Sequence, residues 1–236
     1  MSIEKKFYQK EHDTNKIKYS FNFTDTKNKY FIKGKRYSII DKVLNKKIKY
    51  NTLIEIGAGQ TSTVMYLNEI YNFNKIIAFD IVDFDKKRIK NIELKTFNFN
   101  NSIPLKNNSV DCLIACMIIE HLFDPFHSFS EIERVLSRDG FGFINLPLIT
   151  SFKNRFRLLF GQMPETSVPY SRWFNKKSWD GNHLHYFTIK SIYDICNYFN
   201  LKIIKIMPVG NFMFLKKLLP GLMCNEISFC VQKKYI

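Results

Sequence analysis

The sequence has 236 residues, with 36 Lys and Arg against 21 Asp and Glu, which gives a formal charge of +15. Hydrophobic residues make up 45% of it, including 23 Phe and 12 Tyr, so a mainly disordered chain is excluded. No apolar run reaches the roughly 18 residues of a membrane-spanning helix, and the polar start MSIEKKFYQKEHD has no apolar core of a secretion signal. The five cysteines form no CxxC pair, which favours free thiols. We therefore expect one globular domain with appendages, located in the cytoplasm.

The positive charge is concentrated at the two ends of the chain. Residues 1–50 hold 14 basic and 5 acidic residues, residues 51–150 hold 9 and 12, and residues 151–236 hold 13 and 4. Nucleotide bias in the genome explains such a Lys-rich composition equally well. The functional interpretation is that basic flanks attract an anionic partner to the middle segment. Because the lysines are scattered singly and no nucleic-acid motif occurs, a small anionic substrate is favoured over nucleic acid.

Four segments follow one another along the chain. Residues 1–49 form a polar, aromatic extension that ends in a predicted helix over 36–48, where apolar residues recur at helical spacing. Residues 50–147 alternate short apolar runs with amphipathic stretches. Residues 148–187, rich in Pro, Arg and Trp, interrupt that alternation and are predicted to be an insert over the carboxyl edge of the sheet, where open α/β sheets bind ligands. Residues 188–236 complete the sheet.

The alternation of elements indicates an α/β fold with a parallel sheet covered on both faces. Apolar runs predict strands at 53–56, 76–80, 94–97, 110–117, 142–146, 203–207 and 227–232. Helical spacing predicts helices at 61–71, 126–136 and 189–199.

The sharpest local motif is LIEIGAGQTS, residues 53–62, a strand that enters a glycine turn and then a helix. Gly57 permits a tight turn, and Gly59 lets a ligand approach the backbone without a Cβ in the way. Thr61 is predicted to cap the following helix with its hydroxyl. Asp80 ends the next strand, where a carboxylate can accept hydrogen bonds from two ribose hydroxyls. A nucleoside ligand is therefore implied.

Two cofactor classes fit a nucleoside site of this kind: a dinucleotide and S-adenosylmethionine. A dinucleotide site needs a Gly-x-Gly-x-x-Gly turn with the helix N-terminus facing the pyrophosphate. Here Glu55 precedes Gly57 and Gly59, and its negative charge would repel a pyrophosphate. A ligand with a positive amino group and a sulfonium suits Glu55 better.

The motifs LIEIGAGQTS, IIAFD and NFNNSIPLKNNSVDCLIACMIIEHLFDPFHSFSEIERVLSRDGFGFINLP resemble those of class I S-adenosylmethionine-dependent methyltransferases (methyltransferase types 11 and 23) over about residues 36–232. The resemblance implies a Rossmann-like, doubly wound, mostly parallel seven-stranded sheet with helices on both faces. More loosely, FKNRFRLLFGQMPETSVPYSRWF and GNHLHYFT resemble the methyltransferases grouped with methionine biosynthesis protein W and those of surface-glycan gene clusters.

The resemblance also implies roles for particular residues in binding S-adenosylmethionine. The methionine part would lie against the turn, and the ribose and adenine against the following strand ends. The cofactor residues implied in this way are Glu55, Gly57, Ala58 and Gly59 at the methionine, Asp80 and Ile81 at the ribose and adenine, Asn98 and Phe99 beside the adenine, and Ala115, Cys116 and Met117 near the sulfonium.

Three histidines are candidates for a general base, because the unperturbed imidazole pKa lies near 6.5. His121 follows the fourth predicted core strand and either acts as the base or only orients the loop. His183 and His185 alternate along an extended segment, so both can face one side and line the substrate pocket or make structural hydrogen bonds. We expect no metal, because no third ligand stands at a suitable spacing.

The substrate side is predicted from the end of that same core strand and from the insert. Glu120 stands beside His121, and Arg155 and Arg172 offer guanidinium groups that bind phosphate or carboxylate in a bidentate manner. Tyr170 and Trp173 form a stacking wall or simply pack the insert onto the sheet. A solvated surface explains the arginines equally well.

The activity expected from these residues is O-methylation of a small anionic metabolite, such as a phosphorylated or nucleotide-linked sugar destined for a surface glycan. N-methylation stays open, because an amine needs less help to lose its proton. A methyltransferase-fold partner protein that supports another enzyme is the main alternative. An RNA methyltransferase is the second alternative and rests only on the charge.

Overall fold

A computed structural model describes residues 35–59, 61–81, 91–167, 169, 172, 179–210 and 213–234. Most of the N-terminal extension and the predicted substrate residues Tyr170 and Trp173 lie outside these ranges.

Seven strands form one sheet in the order β3-β2-β1-β4-β5-β7-β6. Strands β1 to β5 are parallel, and β7 runs antiparallel between β5 and β6. This topology confirms the predicted doubly wound, mostly parallel sheet. In chain order the strands are β1 Lys49–Ile56, β2 Asn72–Asp80, β3 Ile92–Thr96, β4 Val110–Cys116, β5 Leu136–Pro147, β6 Leu201–Pro208 and β7 Glu226–Lys233.

Helices cover both faces of this sheet. In chain order they are a 3-10 helix at Arg36–Lys42, α1 Ser62–Ile70, a 3-10 turn at Ile119–His121, α2 Pro125–Val135, α3 Phe152–Leu159, a turn at Trp179–Asn182, α4 Ile189–Tyr198, α5 Met213–Leu218 and α6 Pro220–Met223. No helix in the described part of the chain is both long and apolar enough to cross a membrane.

Alternate residues of the central strands enter two separate apolar layers, as the period of two requires. On one face Ile54, Leu113 and Ile144 pack with Phe129 of α2 and Ile192 of α4. On the other face Leu53, Ile76 and Ile114 pack with Ile40 and Leu67, which belong to the first 3-10 helix and α1. The sheet is therefore buried on both sides, which explains why its strands are near-continuous apolar runs.

The segment predicted as a helix over 36–48 is a shorter 3-10 helix that ends at Lys42. The buried Ile39, Ile40 and Leu44 explain the helical spacing of the sequence. Beyond them, the Asn45 backbone donates to the Tyr50 hydroxyl and the Asn45 side chain accepts from the Lys47 backbone. Such local bonding of an Asn side chain competes with the helix, and the chain turns into β1 instead.

Because β1, β2, β4 and β5 are parallel, their carboxyl ends meet at one edge of the sheet. The glycine turn, Asp80, the Glu120–His121 pair and the start of the insert all follow these strand ends. The topology therefore brings the segments that hold the predicted cofactor and substrate residues to this one edge.

Candidate functional site

The turn after β1 has the backbone geometry that its glycines allow. Gly57 and Gly59 have φ angles of 70° and 50°, in the left-handed region that favours glycine. A Cβ on Gly57 would lie 3.0 Å from the Ile118 side chain, whereas a Cβ on Gly59 would meet no atom within 4 Å. Gly57 therefore combines a left-handed backbone with a close contact to Ile118, and Gly59 leaves its backbone open on the side where a Cβ would stand.

Thr61 does not cap helix α1 in the predicted way. Its φ angle is 62°, and its side chain makes no capping hydrogen bond. Instead the Thr61 hydroxyl lies 3.7 Å from the Met65 sulfur. A left-handed residue directs its side chain away from the first helical amides, since capping needs an extended backbone at that position.

Two carboxylates stand on either side of the turn. The Gly59 backbone N–H donates to Asp80 Oδ2 over 2.8 Å, which ties the end of β2 to the turn. Glu55 is 2% exposed, and its Oε2 is buried without a hydrogen-bond partner among the described residues. Burial and the nearby Asp80 raise the pKa of Glu55 to about 8, against hydrogen bonds from Thr63 and Val64.

The residues predicted near the adenine differ in what their side chains contact. Ile81 is partly exposed beyond β2. The side-chain oxygen of Asn98 accepts from both the backbone and the side chain of Asn100, so it already has two donors. Phe99 is 4% exposed and packs in the core, which leaves only its backbone to face a ligand.

The residues at the end of β4 also differ in how far they are buried. Ala115 is fully buried, while Cys116 and Met117 are partly exposed. Met117 has a φ angle of 54°, and its backbone N–H donates to the Asn145 carbonyl over 3.0 Å. Burial raises the pKa of the Cys116 thiol to about 12, so this thiol stays protonated at neutral pH.

Tyr37, which no sequence motif marks, interacts with Glu55 and Thr63, which stand before and after the glycine turn. Its hydroxyl hydrogen-bonds with Thr63 and Cys116, and burial together with the nearby Cys116 and Glu55 raises its pKa. The preceding Arg36 pairs with Glu226 of β7, its Nε donating over 2.7 Å. Neither residue stands in a recognisable motif, and only the fold carries the segment before β1 to this edge.

The Glu120–His121 pair and the insert meet after β4. Backbone amides of Leu184 and His185 donate to the Glu120 carbonyl over 2.8 and 3.2 Å. The rings of His121 and His183 lie 4.7 Å apart at 77°. His185 donates from Nε2 to the Phe123 carbonyl over 3.2 Å. The structure therefore brings all three predicted histidines to one region.

His183 is held by two residues that sequence analysis missed, Thr166 and Asp180. Thr166 Oγ1 lies 2.6 Å from Asp180 Oδ2 and 2.7 Å from His183 Nδ1. Asp180 is fully buried and also accepts from the Thr166 and Ser167 backbone amides. Burial and the nearby His121 lower the pKa of His183 to about 3, so this imidazole is neutral at pH 7.

The predicted substrate residues of the insert are exposed where the structure describes them. Arg155 donates from Nε to the Thr150 carbonyl over 2.8 Å, and its residue is exposed. Arg172 is exposed too, and its backbone amide donates to the Pro169 carbonyl. Glu120, in contrast, is 0% exposed. The two arginines are thus on the surface, whereas Glu120 belongs to the buried group around the histidines.

Part of the chain is similar to a known protein family. Residues 54–144, from β1 through most of β5, match the family model described as "Methyltransferase domain". No curated protein sequence matches the chain significantly.

Solved methyltransferases share the fold at low sequence identity. An S-adenosylmethionine-dependent methyltransferase from Mesorhizobium loti matches with a TM-score of 0.61 and 9% identity, over 84% of this chain and 97% of that one. The Burkholderia thailandensis 1,6-didemethyltoxoflavin-N1-methyltransferase, solved with its substrate and S-adenosylhomocysteine, matches with a TM-score of 0.59 and 10% identity, over 99% and 88%. A methyltransferase solved with the Haloferax volcanii activator Trm112 matches with a TM-score of 0.58 and 10% identity, over 85% and 91%.

The domain match covers the strands and the turn that bear Glu55, Gly57, Gly59 and Asp80, and the fold match extends over most of the chain. Together they show that the chain has the fold of S-adenosylmethionine-dependent methyltransferases and a methyltransferase-domain match over residues 54–144.

Proposed function

We propose that this protein transfers the methyl group of S-adenosylmethionine to a small anionic metabolite. The observation that supports the cofactor most directly is the pair of carboxylates around the glycine turn. Asp80 is bonded to the Gly59 amide at the end of β2, where a ribose would lie, and Glu55 Oε2 is buried and lacks a partner among the described residues. The ammonium group of the cofactor's methionine part would supply that partner.

A calorimetric titration with S-adenosylhomocysteine tests the cofactor proposal. We expect micromolar binding by the wild type and a loss of at least tenfold in Asp80→Ala. Asp194→Asn is the matched control, because Asp194 lies on the exposed side of α4, where it pairs with Lys190. Absence of binding by the folded wild type would refute the proposal.

Bound S-adenosylmethionine supplies a methyl group on a strongly electrophilic sulfonium. The chain then has to align the acceptor atom, exclude water and take up a proton from a hydroxyl acceptor. Among the predicted bases, His183 is a weak one, because its pKa is lowered to about 3. We therefore propose His121 as the base for O-methylation, with His185 as the second candidate.

Single alanine variants test this assignment. We expect His121→Ala to lower kcat by about 100-fold or more, within the range for removal of a general base, and to flatten the pH dependence of the rate. His185→Ala should have a smaller effect. Unchanged turnover in alanine variants of His121, His183 and His185 would rule out a histidine base and would favour an amine acceptor.

The acceptor class that we propose is a phosphorylated or nucleotide-linked sugar, such as a precursor of a surface glycan. The net charge of +15 and the exposed Arg155 and Arg172 support an anionic substrate. Screening such sugars for methyl acceptance, each beside its unphosphorylated counterpart, tests the choice. Equal methylation of both members of every pair would contradict it. The five cysteine thiols are consistent with the cytoplasm, where such precursors are made.

Two alternatives remain as proposals of other classes. A partner protein that supports another enzyme predicts no turnover with any small acceptor and a stable complex with a second protein. An RNA methyltransferase predicts tRNA binding that weakens steeply with salt, because phosphate contacts release counterions. Weak tRNA binding that does not change with salt concentration would exclude the RNA alternative.

A further inference from the structure

Three side chains that can bind a metal converge between the end of β4 and the insert. Glu120, His121 and His183 each place one ligand atom within 4.8 Å of the other two. Glu120 and His183 are buried, with exposed fractions of 0% and 6%. The sequence argued against a metal because a third ligand was missing beside His183 and His185, and the fold brings Glu120 and His121 to His183 from the end of β4.

The hydrogen bonds of His183 determine which of its nitrogens bears the proton. Asp180 can only accept, so the Thr166 hydroxyl donates its hydrogen to Asp180 over 2.6 Å. The Thr166 oxygen therefore accepts from His183 Nδ1–H over 2.7 Å. In the neutral imidazole this leaves the lone pair on Nε2. The Asp180–Thr166 pair thus orients His183, as hydrogen-bond acceptors behind metal-binding histidines commonly do.

His121 has the same arrangement with a different partner. Its Nδ1 lies 3.2 Å from the Asn182 carbonyl, which can only accept, so Nδ1 is the protonated nitrogen. The carbonyl belongs to the turn at Trp179–Asn182, in which Asp180 and Asn182 both have positive φ angles. One turn of the insert therefore orients both histidines, one through its backbone and one through Asp180.

We propose that Glu120, His121 and His183 form a binding site for a divalent transition-metal ion. The proton placement leaves an Nε2 lone pair on each imidazole, the Glu120 carboxylate adds a third donor, and one ligand atom of each residue lies within 4.8 Å of the other two. Two histidines and one carboxylate are a donor set that Zn²⁺ and Fe²⁺ use, whereas Mg²⁺ prefers oxygen ligands.

The observed spacing permits such an ion after a small adjustment. Bonds of roughly 2.1 Å in tetrahedral geometry place ligand atoms roughly 3.4 Å apart. The ligand atoms here lie within 4.8 Å, so movements of about 1 Å, within reach of side-chain rotation, would close the site. Three protein ligands leave a fourth position for an oxygen of a substrate or for water.

A metal bound by His121 Nε2 would occupy the lone pair that a His121 base needs, so the metal site and the His121 base are alternatives. Metal binding can be measured without a cofactor, so its test is separate from that of the cofactor proposal. The full chain, stripped with a chelator, is titrated with Co²⁺ alone and followed by visible absorption. We expect one Co²⁺ per chain, displaced by Zn²⁺ and unaffected by Mg²⁺. His183→Ala and Glu120→Gln should each weaken Co²⁺ binding by at least about 100-fold. Thr166→Val should weaken it by about 10- to 100-fold, because it removes the hydrogen bond that orients His183.

His185→Ala is the matched control, since His185 lies two residues from His183 but bonds to the Phe123 carbonyl outside the group of three. This variant should keep wild-type Co²⁺ affinity. Circular dichroism identifies any variant that fails to fold, and His121→Ala then replaces it. No stoichiometric Co²⁺ binding by the folded wild type, or undiminished binding in a folded His183→Ala or His121→Ala, would overturn the metal site and leave the cofactor proposal untouched.

Discussion

Individual buried residues at the sheet edge control the pH dependence of this protein. Glu55 is the clearest case, because burial and the nearby Asp80 raise its pKa from 4.5 to about 8. In the unfolded chain this carboxyl ionises near its ordinary value, while in the folded chain it retains its proton. Folding therefore favours the protonated form, and the stability that depends on this proton is lost as the pH rises from about 4.5 to about 8.

Replacing Glu55 by Gln should remove this loss. Each pKa unit corresponds to about 1.4 kcal/mol. The free energy of unfolding of the variant should therefore rise relative to that of the wild type by a few kcal/mol between pH 5.5 and pH 8, as measured by urea unfolding. Glu93→Gln is the control. Glu93 is exposed and its pKa is lowered by hydrogen bonds from Lys75 and Lys95, so it titrates below this range. A constant difference in the free energy of unfolding between wild type and Glu55→Gln from pH 5.5 to pH 8 would show that Glu55 is ionised in the folded protein.

The same carboxyl predicts that cofactor binding releases a proton. Near pH 7 Glu55 of the free protein is largely protonated, and an ammonium group placed beside it favours the ionised form. We expect release of up to about one proton per molecule of S-adenosylhomocysteine bound. Calorimetry in two buffers of different ionisation enthalpy measures it. Proton release that persists in Glu55→Gln would assign it to another group.

At the scale of elements, helix α2 anchors the loop between β3 and β4. Arg134 donates to the Leu105 and Ile103 carbonyls over 2.9 Å each, and Glu131 accepts from the Ile103 amide over 2.6 Å. Arg134 also pairs with Glu131 over 2.7 Å. Glu131 and Arg134 thus stabilise the fold by holding this loop against the helix. They lie outside the group of predicted site residues.

Arg134→Ala should therefore destabilise the protein without a direct effect on the site. Two carbonyls and the Glu131 carboxylate would lose a donor, which costs about 1 to 3 kcal/mol for each buried group, and we expect about 3 kcal/mol in the free energy of unfolding. Arg138→Ala, at an exposed arginine of β5, is the control and should change it by less than about 0.5 kcal/mol. Equal losses of unfolding free energy in Arg134→Ala and Arg138→Ala would contradict the role of Arg134 in holding the loop.

At the scale of the whole molecule, charge separates the flanks from the core of the sheet. Residues 51–150, which hold most of β1 and all of β2 to β5, contain more acidic than basic residues, and the excess of Lys and Arg lies before and after them. Such a distribution attracts anions electrostatically. Salt screens this attraction beyond about 8 Å at physiological ionic strength.

This distribution predicts a salt dependence of the reaction. For an anionic acceptor we expect kcat/KM to fall several-fold between 50 and 300 mM NaCl, while kcat changes little, because screening weakens the approach of substrate rather than the chemical step. An uncharged acceptor analogue is the control and should show no such fall. An equal fall in kcat/KM for both acceptors would show that salt acts on the protein and not through the charge of the substrate.

The sequence by itself determined the order of the seven strands and of helices α1, α2 and α4, and the positions of the glycine turn and Asp80, while it left out helices α3, α5 and α6. These depend on local patterns: apolar runs for the buried strands, helical spacing for α1, α2 and α4, and a turn that only glycine allows. It overestimated the helix after Arg36, because the side chain of Asn45 and the need to enter β1 override the spacing.

Only the tertiary structure decided which distant residues meet at the sheet edge. Tyr37 comes beside the turn because its segment packs against the sheet, and Thr166 and Asp180 reach His183 because the insert folds back onto the end of β4. No spacing rule predicts such contacts, since they join residues far apart in the chain. The grouping of His183 with Glu120 and His121, and with it the proposed metal site, arises from that folding of the insert alone.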